Sequence, residues 1–239
     1  MEHFHTIKSP GKYWLVDQLK KDSISKELYE TSLSKLVKEW KSKEYGFISV
    51  LLEETSEAVL LDEGFKKVST IVEYTRTLDN IEEHAFPIRW NNLSEGRLTD
   101  QDYASLYERC RSGSANKNKK QPIEEVMNSI KSELGPAWRD FCYSFTYEGE
   151  TCGISIPHIE EGTTDEGRMF YFGVVPEMRG RGLGASMHLA SLFLLKEKNA
   201  TYYVGSTDTS NQAMIDIFIK NGCTLRDRKG IYRLEKKRK

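Results

Sequence analysis

Three alternating glycines flanked by arginines, Arg179-Gly180-Arg181-Gly182-Leu183-Gly184, form the stretch of this 239-residue chain that most directly implies chemistry. Glycines at this density remove side chains where a backbone must approach a ligand closely. Behind them, residues 183–198 read as a helix, apolar nearly all round through Leu183, Met187, Leu192 and Leu195 and so covered on most sides. A helix start offers N–H groups without acceptors and the positive end of the helix dipole. Turn and helix together therefore suit a phosphate or pyrophosphate. Arg179 and Arg181 add positive charge beside it. The competing reading is a tight turn whose glycines only permit the bend.

Two familiar nucleotide patterns fit poorly. A phosphate-cradling Walker loop needs lysine and then serine or threonine, and neither follows Gly184. Gly180-x-Gly182-x-x-Ala185 matches the dinucleotide fingerprint in form. That fingerprint opens a long unit and needs a ribose-binding acid further on, and too little chain follows Ala185 to build one. The four cysteines (Cys110, Cys142, Cys152, Cys223) lack metal-ligand spacing and read as free, buried thiols. No metal site is expected.

The surroundings are bland in charge. Thirty-five basic and 36 acidic side chains leave a net charge of −1, so no global field attracts nucleic acid or anionic lipid. Any anion site must be local. The N-terminus lacks the order of a signal peptide, and the longest mostly apolar stretch, 185–195, is far short of the ~20 residues that cross a bilayer. A cytoplasmic protein without membrane or nucleic-acid partners is expected.

The elements that must position the glycine turn follow from apolar spacing. Residues 20–43 read as one or two amphipathic helices, 47–52 as a buried strand, 56–63 as a short helix closed by Gly64, and 67–78 as a strand. After a break at 79–84 come a strand at 87–90, a helix over 99–111 capped by Thr99 or Asp100, and a loop at 112–120. A helix over 123–133 and hairpin strands at 141–147 and 151–156 follow. Next are a strand at 168–175, the buried helix, a strand at 201–204, a helix over 211–221 stopped by Gly222, and a strand at 230–234. This order implies an α/β fold with a mixed sheet. Residues 47–78 and 203–234 share one skeleton: strand, helix, Gly64-Phe65 or Gly222-Cys223, strand.

The segment Val175-Pro176-x-x-Arg179-Gly180-Arg181-Gly182-Leu183-Gly184 resembles the acetyl-CoA motif of the GNAT (Gcn5-related N-acetyltransferase) family, Arg/Gln-x-x-Gly-x-Gly/Ala. Downstream, Asn211-x-x-Met214-x-x-x-Phe218-x-x-x-Gly222-Cys223 resembles the family's Asn-x-x-Ala-x-x-x-Tyr-x-x-x-Gly-Phe. The resemblance covers about 150 residues and implies a mixed, mostly antiparallel sheet flanked by helices over 81–239. It implies that acetyl-CoA is bound, with its pyrophosphate on the backbone of Arg179, Gly180, Arg181, Gly182, Leu183 and Gly184, and with Ala185 also at the cofactor. The backbone of Val174 and Val175 would pair with the pantetheine arm, and Asn211 and Phe218 would line the cofactor. Residues 1–80 then read as a truncated, cofactor-free relative, a smaller α/β unit whose exposed sheet edge would suit a homodimer.

The activity implied is acetyl transfer from acetyl-CoA to a primary amine of a small molecule or peptide by direct attack. The alternative is a non-catalytic acyl-CoA-binding or regulatory module. It is motivated by Phe218, standing where many members carry an acidic tyrosine, and by Arg168, where some carry a glutamate base; Glu166 falls in an expected loop. Two substitutes are candidates. His158, after a strand, has a ring that titrates near neutrality, and Asp208 precedes the last helix. The bland readings are a solvated histidine and a turn or cap aspartate. Arg111, Lys117, Lys119 and Lys120 would favour an acidic acceptor or simply solvate their loop.

Overall fold

The computed structural model describes residues 4–9, 11–18, 25–43, 46–54, 57–82, 86–115 and 121–236. They form two compact units, 1–72 with 227–239, and 73–226. The sequence reading put the boundary at 80/81 and all later residues in the second domain. Instead the last strand returns its end to the first unit, where 229–236 pair antiparallel with 46–53.

The smaller unit begins with an antiparallel hairpin, β1 (Phe4–Ser9) and β2 (Tyr13–Gln18), which was not anticipated. Helix α1 (Lys26–Lys43) then leads to β3 (Gly46–Glu53), which pairs in parallel with β2. Parallel neighbours require such a crossover. In α1, Tyr29, Leu33, Leu36, Val37 and Trp40 recur at helical spacing and are buried in a core with Trp14, Val16, Ile48, Val50 and Leu52. Helix α2 (Ala58–Asp62) precedes β4 (Lys66–Thr77), which crosses the boundary between units. Gly64, at φ +89°, ends α2: its N–H donates to the Leu61 carbonyl and that of Phe65 to the Leu60 carbonyl, both at 3.0 Å.

In the larger unit, β5 (Arg89–Asn92), helices α3 (Asp100–Arg111) and α4 (Ile123–Leu134), and strands β6 (Tyr143–Tyr147), β7 (Glu150–Ile159) and β8 (Glu166–Val174) come first. Then follow α5 (Leu183–Glu197), β9 (Tyr202–Asp208), α6 (Gln212–Lys220) and β10 (Thr224–Lys236), whose end lies in the smaller unit. Strands β5 to β8 pair antiparallel in sequence order, and β9 joins β8 in parallel. The expected mixed, mostly antiparallel sheet is present. Successive side chains of β8 identify its two faces. Tyr171 stacks on Tyr107 of α3 at 4.0 Å between centroids, and Phe172 meets His188 of α5 edge-on at 5.7 Å. Helices α3 and α5 therefore cover opposite faces.

Helix α6 ends as α2 does: Gly222, at φ +69°, donates to the Ile219 carbonyl (3.0 Å) and Cys223 to that of Phe218 (2.9 Å). Leu60 and Phe218 occupy the same place in the two endings, and both are buried. The internal echo thus extends from sequence skeleton to hydrogen-bond pattern. Thr99 caps α3 as expected, exchanging hydrogen bonds with Asp102 (3.0 and 3.1 Å). All four cysteines are free and buried. Burial pushes Cys110 and Cys142 up to about 12, so both thiols stay protonated.

Candidate functional site

Strands β8 and β9 pair at their starts, Glu166 with Tyr202 and Gly167 with Tyr203; among the described residues their pairing stops there. Glu166 ties this closed end together. Its carboxylate accepts from Arg168 Nε (2.7 Å) and from the Tyr202 hydroxyl (2.8 Å). Glu166 is thus a buried strand residue, not part of a loop. Beyond the closed end lies a cleft of about 580 Å³, lined by 168–174 of β8, 203–207 of β9, the glycine turn, and residues of α6. The strand edge facing it carries backbone groups without a neighbouring strand, which an extended ligand can pair with.

The glycine turn stands at one end of this cleft. After β8, Val175 leads through a short 3₁₀ turn (Pro176–Met178) to Arg179, and Gly182 caps α5. Gly180 and Gly182 both have φ +77°, a left-handed conformation. A Cβ built on either would meet no protein atom within 4 Å. The glycines therefore serve backbone conformation and leave space in front of the turn. Gly184 differs: its Cβ would lie 2.8 Å from Ile217 Cδ1, so it is the close-packing point between α5 and α6. The N–H groups of Leu183 and Gly184, in the first turn of α5, have no preceding turn to accept them. Leu183 and Ala185 are buried, and Arg181 is exposed.

Arg179 does not add free charge here, as the sequence reading expected. Its guanidinium donates to the carbonyls of Val174 (3.0 Å), Cys110 (2.8 Å), Ser112 (2.8 Å) and Gly113 (3.1 Å). It fastens the end of α3 to the end of β8. The backbone expected to pair with a ligand is also partly engaged. Val175 N–H donates to the Cys152 carbonyl (3.0 Å), and the Val175 carbonyl accepts from Met178 (3.0 Å). The edge left facing the cleft lies earlier in β8, over 168–173.

Asn211 caps α6, accepting from Met214 N–H (3.4 Å) and donating through Nδ2 to Thr207 Oγ1 (3.0 Å), and it lines the cleft. Phe218 lines it too, stacked on Tyr74 at 5.1 Å. Neither candidate acid–base residue is among the lining. Asp208 is a turn residue: its Oδ1 accepts from Ser210 N–H (2.8 Å) and Oγ–H (2.5 Å), and its carbonyl accepts from Asn211 N–H (2.9 Å). His158 lies inside β7 rather than after it. It is buried opposite Arg168, its Nε2 3.6 Å from Glu160 and 4.0 Å from Glu133. Arg111 donates to the Gln121 carbonyl (2.7 Å) and pairs with Glu108; Lys117, Lys119 and Lys120 lie outside the described residues. No group of metal ligands occurs among the described residues.

Sequence reasoning missed His188. It is buried in α5, its Nδ1 accepts from Asn221 Nδ2 (2.9 Å), and its Nε2 has no hydrogen-bond partner. Tyr203 and Phe218 meet its ring edge-on at 5.2 and 5.5 Å. Burial, and then the charge of Arg76, push it down to about 3. It is a neutral floor for the aromatic lining, not a proton acceptor. A lone histidine in an otherwise apolar helix was the available signal.

No protein-family model and no curated protein sequence matches the chain. Solved structures do. A GCN5-related N-acetyltransferase from Sphaerobacter thermophilus superposes with a TM-score of 0.69 at 15% identity, over 97% of this chain and 76% of that one. The fold is that of the GNAT acetyltransferases. A tandem GNAT protein from the clavulanic acid biosynthesis pathway gives 0.60 at 14% identity, over 99% of this chain and 79% of that one. A GNAT-family acetyltransferase from Colwellia psychrerythraea gives 0.61 at 13%, over 94% and 78%. At these identities the likeness concerns fold. No helix among the described residues is long and apolar enough to cross a membrane.

Proposed function

We propose that the chain transfers an acetyl group from acetyl-CoA to a primary amine of a small molecule or peptide. One observation carries the reading: a left-handed glycine turn with open space before it starts a buried helix at the end of a cleft between two parting parallel strands. The turn and the first N–H groups of α5 hold the pyrophosphate through Gly180, Arg181, Gly182, Leu183 and Gly184. The free edge of β8 takes the pantetheine arm by strand addition. Asn211 and Phe218 border the arm from α6.

In the transfer, the amine nitrogen forms a bond to the acyl carbon and the carbon–sulfur bond breaks with its electron pair going to sulfur. The proton lost from nitrogen passes to water. Alignment of amine and thioester can supply roughly 7–11 kcal/mol of barrier reduction in well-oriented cases. The reading assigns no chemistry to His158 or Asp208, which do not line the cleft. The unit of 1–72 with 227–239 is read as a truncated relative of the larger one, supported by the shared helix endings at Gly64 and Gly222. The competing reading, a non-catalytic acyl-CoA-binding module, draws on Phe218.

The test is turnover: thiol release from acetyl-CoA with a panel of primary amines, followed by mass spectrometry of the amine. An amine gaining an acetyl group supports the enzyme reading. Binding of acetyl-CoA with no acetylated product across the panel supports the binding module.

A further inference from the structure

Both parting strands carry a tyrosine two residues before a glycine: Tyr171-x-Gly173 on β8 and Tyr203-x-Gly205 on β9. Each phenol lies along its own strand over the bare glycine. A Cβ built on Gly205 would stand 2.0 Å from the Tyr203 hydroxyl oxygen and 3.0 Å from Phe218 Cε1. One built on Gly173 would stand 2.8 Å from the Tyr171 hydroxyl oxygen. Glycine at 205 is what lets the Tyr203 hydroxyl reach this point.

The two phenols belong to opposite faces. Tyr171 stacks on α3, whereas Tyr203 packs against His188 of α5 and Phe218 of α6. Helix α5, whose start would hold the phosphates, covers the face opposite α3, and Tyr203 shares that face through His188. At that face Phe218 offers only a ring edge, while Tyr203 offers an O–H. Tyr203 and Gly205 both line the cleft, and the Tyr203 hydroxyl has no hydrogen-bond partner among the described residues. An unpartnered donor bordering a cleft is available to a ligand atom.

We propose that the Tyr203 hydroxyl hydrogen-bonds the leaving sulfur of the acyl thioester, supplying from β9 the donor that Phe218 on α6 lacks. The proposal rests on the acetyl-transfer reading and names the group that reading left unfilled. As the carbon–sulfur bond breaks, the electron pair moves to sulfur, and the O–H of Tyr203 stabilises the forming thiolate without surrendering its proton. Burial raises the phenol's pKa, so it is present as a donor throughout the neutral range. The thiolate later takes its proton from solvent, and the proton lost by the amine goes to water. A donor placed where charge develops contributes to rate rather than to ground-state binding.

The experiment uses the full chain and Tyr203→Phe, which keeps the ring and its packing. Acetyl-CoA affinity is measured by calorimetry and thiol release is followed with glycinamide as acceptor and with water alone. The expected result is a kcat lower by roughly 100-fold, with acetyl-CoA affinity within about twofold of the unaltered chain. With S-phenyl thioacetate as donor, whose thiolate leaves more readily, the deficit shrinks; a merely structural loss would persist. Equal rates in the two proteins overturn the assignment of Tyr203 and leave the acetyl-transfer reading standing. Binding of acetyl-CoA by the unaltered chain without any thiol release also overturns it. Failure of the unaltered chain to bind acetyl-CoA removes the cofactor reading itself.

Discussion

Lowering the pH from 7 to 5 should destabilise this protein through His188. The ring is buried, accepts at Nδ1 from Asn221, and holds its proton on an enclosed Nε2. Its folded value of about 3 lies below the ~6.5 of an unfolded chain, so it stays neutral in the fold. Between those values the unfolded chain binds a proton that the folded chain does not. Stability therefore falls as pH falls, with a slope of about 1.4 kcal/mol per pH unit well below 6.5. Integrated from pH 7 to 5, the loss is about 2 kcal/mol, a sizeable part of a typical ~5–15 kcal/mol. The assay is urea unfolding at pH 7, 6 and 5 for the natural chain and for His188→Gln, whose amide oxygen can still accept from Asn221. The variant should be less stable at pH 7, and its deficit should narrow by about 2 kcal/mol at pH 5. Parallel curves would refute the neutral, enclosed imidazole.

Other perturbations probe the turn and the smaller unit. Gly182→Asp places a charged side chain in the open space before the turn at a strained φ, so CoA binding should vanish while far-UV circular dichroism stays unchanged. A folded variant with unaltered affinity would misplace the site. Arg179→Met removes four charge-assisted hydrogen bonds from an exposed position and should cost about 1–2 kcal/mol, with faster amide exchange at the end of α3. Unchanged exchange would contradict the fastening role. In the smaller unit, hydrogen bonds from Lys67, then Thr70 and Arg228, hold the Glu54 carboxyl down to about 2. Its stabilising contribution is full above the ordinary carboxylate range and is lost as pH falls toward 2. Lys67→Met should return the Glu54 value toward the ordinary range in side-chain NMR; a value still near 2 would sink that assignment.

The elements around the glycine turn were legible because their signals are local. The spacing of Leu183, Met187 and Leu195 marks α5, and Thr99 marks the start of α3. Elsewhere the determining contacts are distant in sequence. The strand expected over 151–156 runs further, because β7 carries Pro157 across a register shift opposite Met169 and continues through His158. Tyr13-Trp14-Leu15-Val16 is apolar without alternation, and burial of Trp14 and Val16 alone follows from pairing with β3 across α1. Arg179 reads as a phosphate ligand from its neighbours in sequence, and only the tertiary fold brings it to the carbonyls at the end of α3. The Tyr203 hydroxyl is equally invisible from sequence, because its position depends on the bare backbone of Gly205 and on where β8 and β9 part.

The most direct test of the account is calorimetric titration of the purified chain with acetyl-CoA, CoA and NAD in parallel. Saturable binding of the two CoA species and none of NAD is the predicted result. Binding of neither CoA species would leave the glycine turn as a turn only and contradict the acetyl-transfer reading.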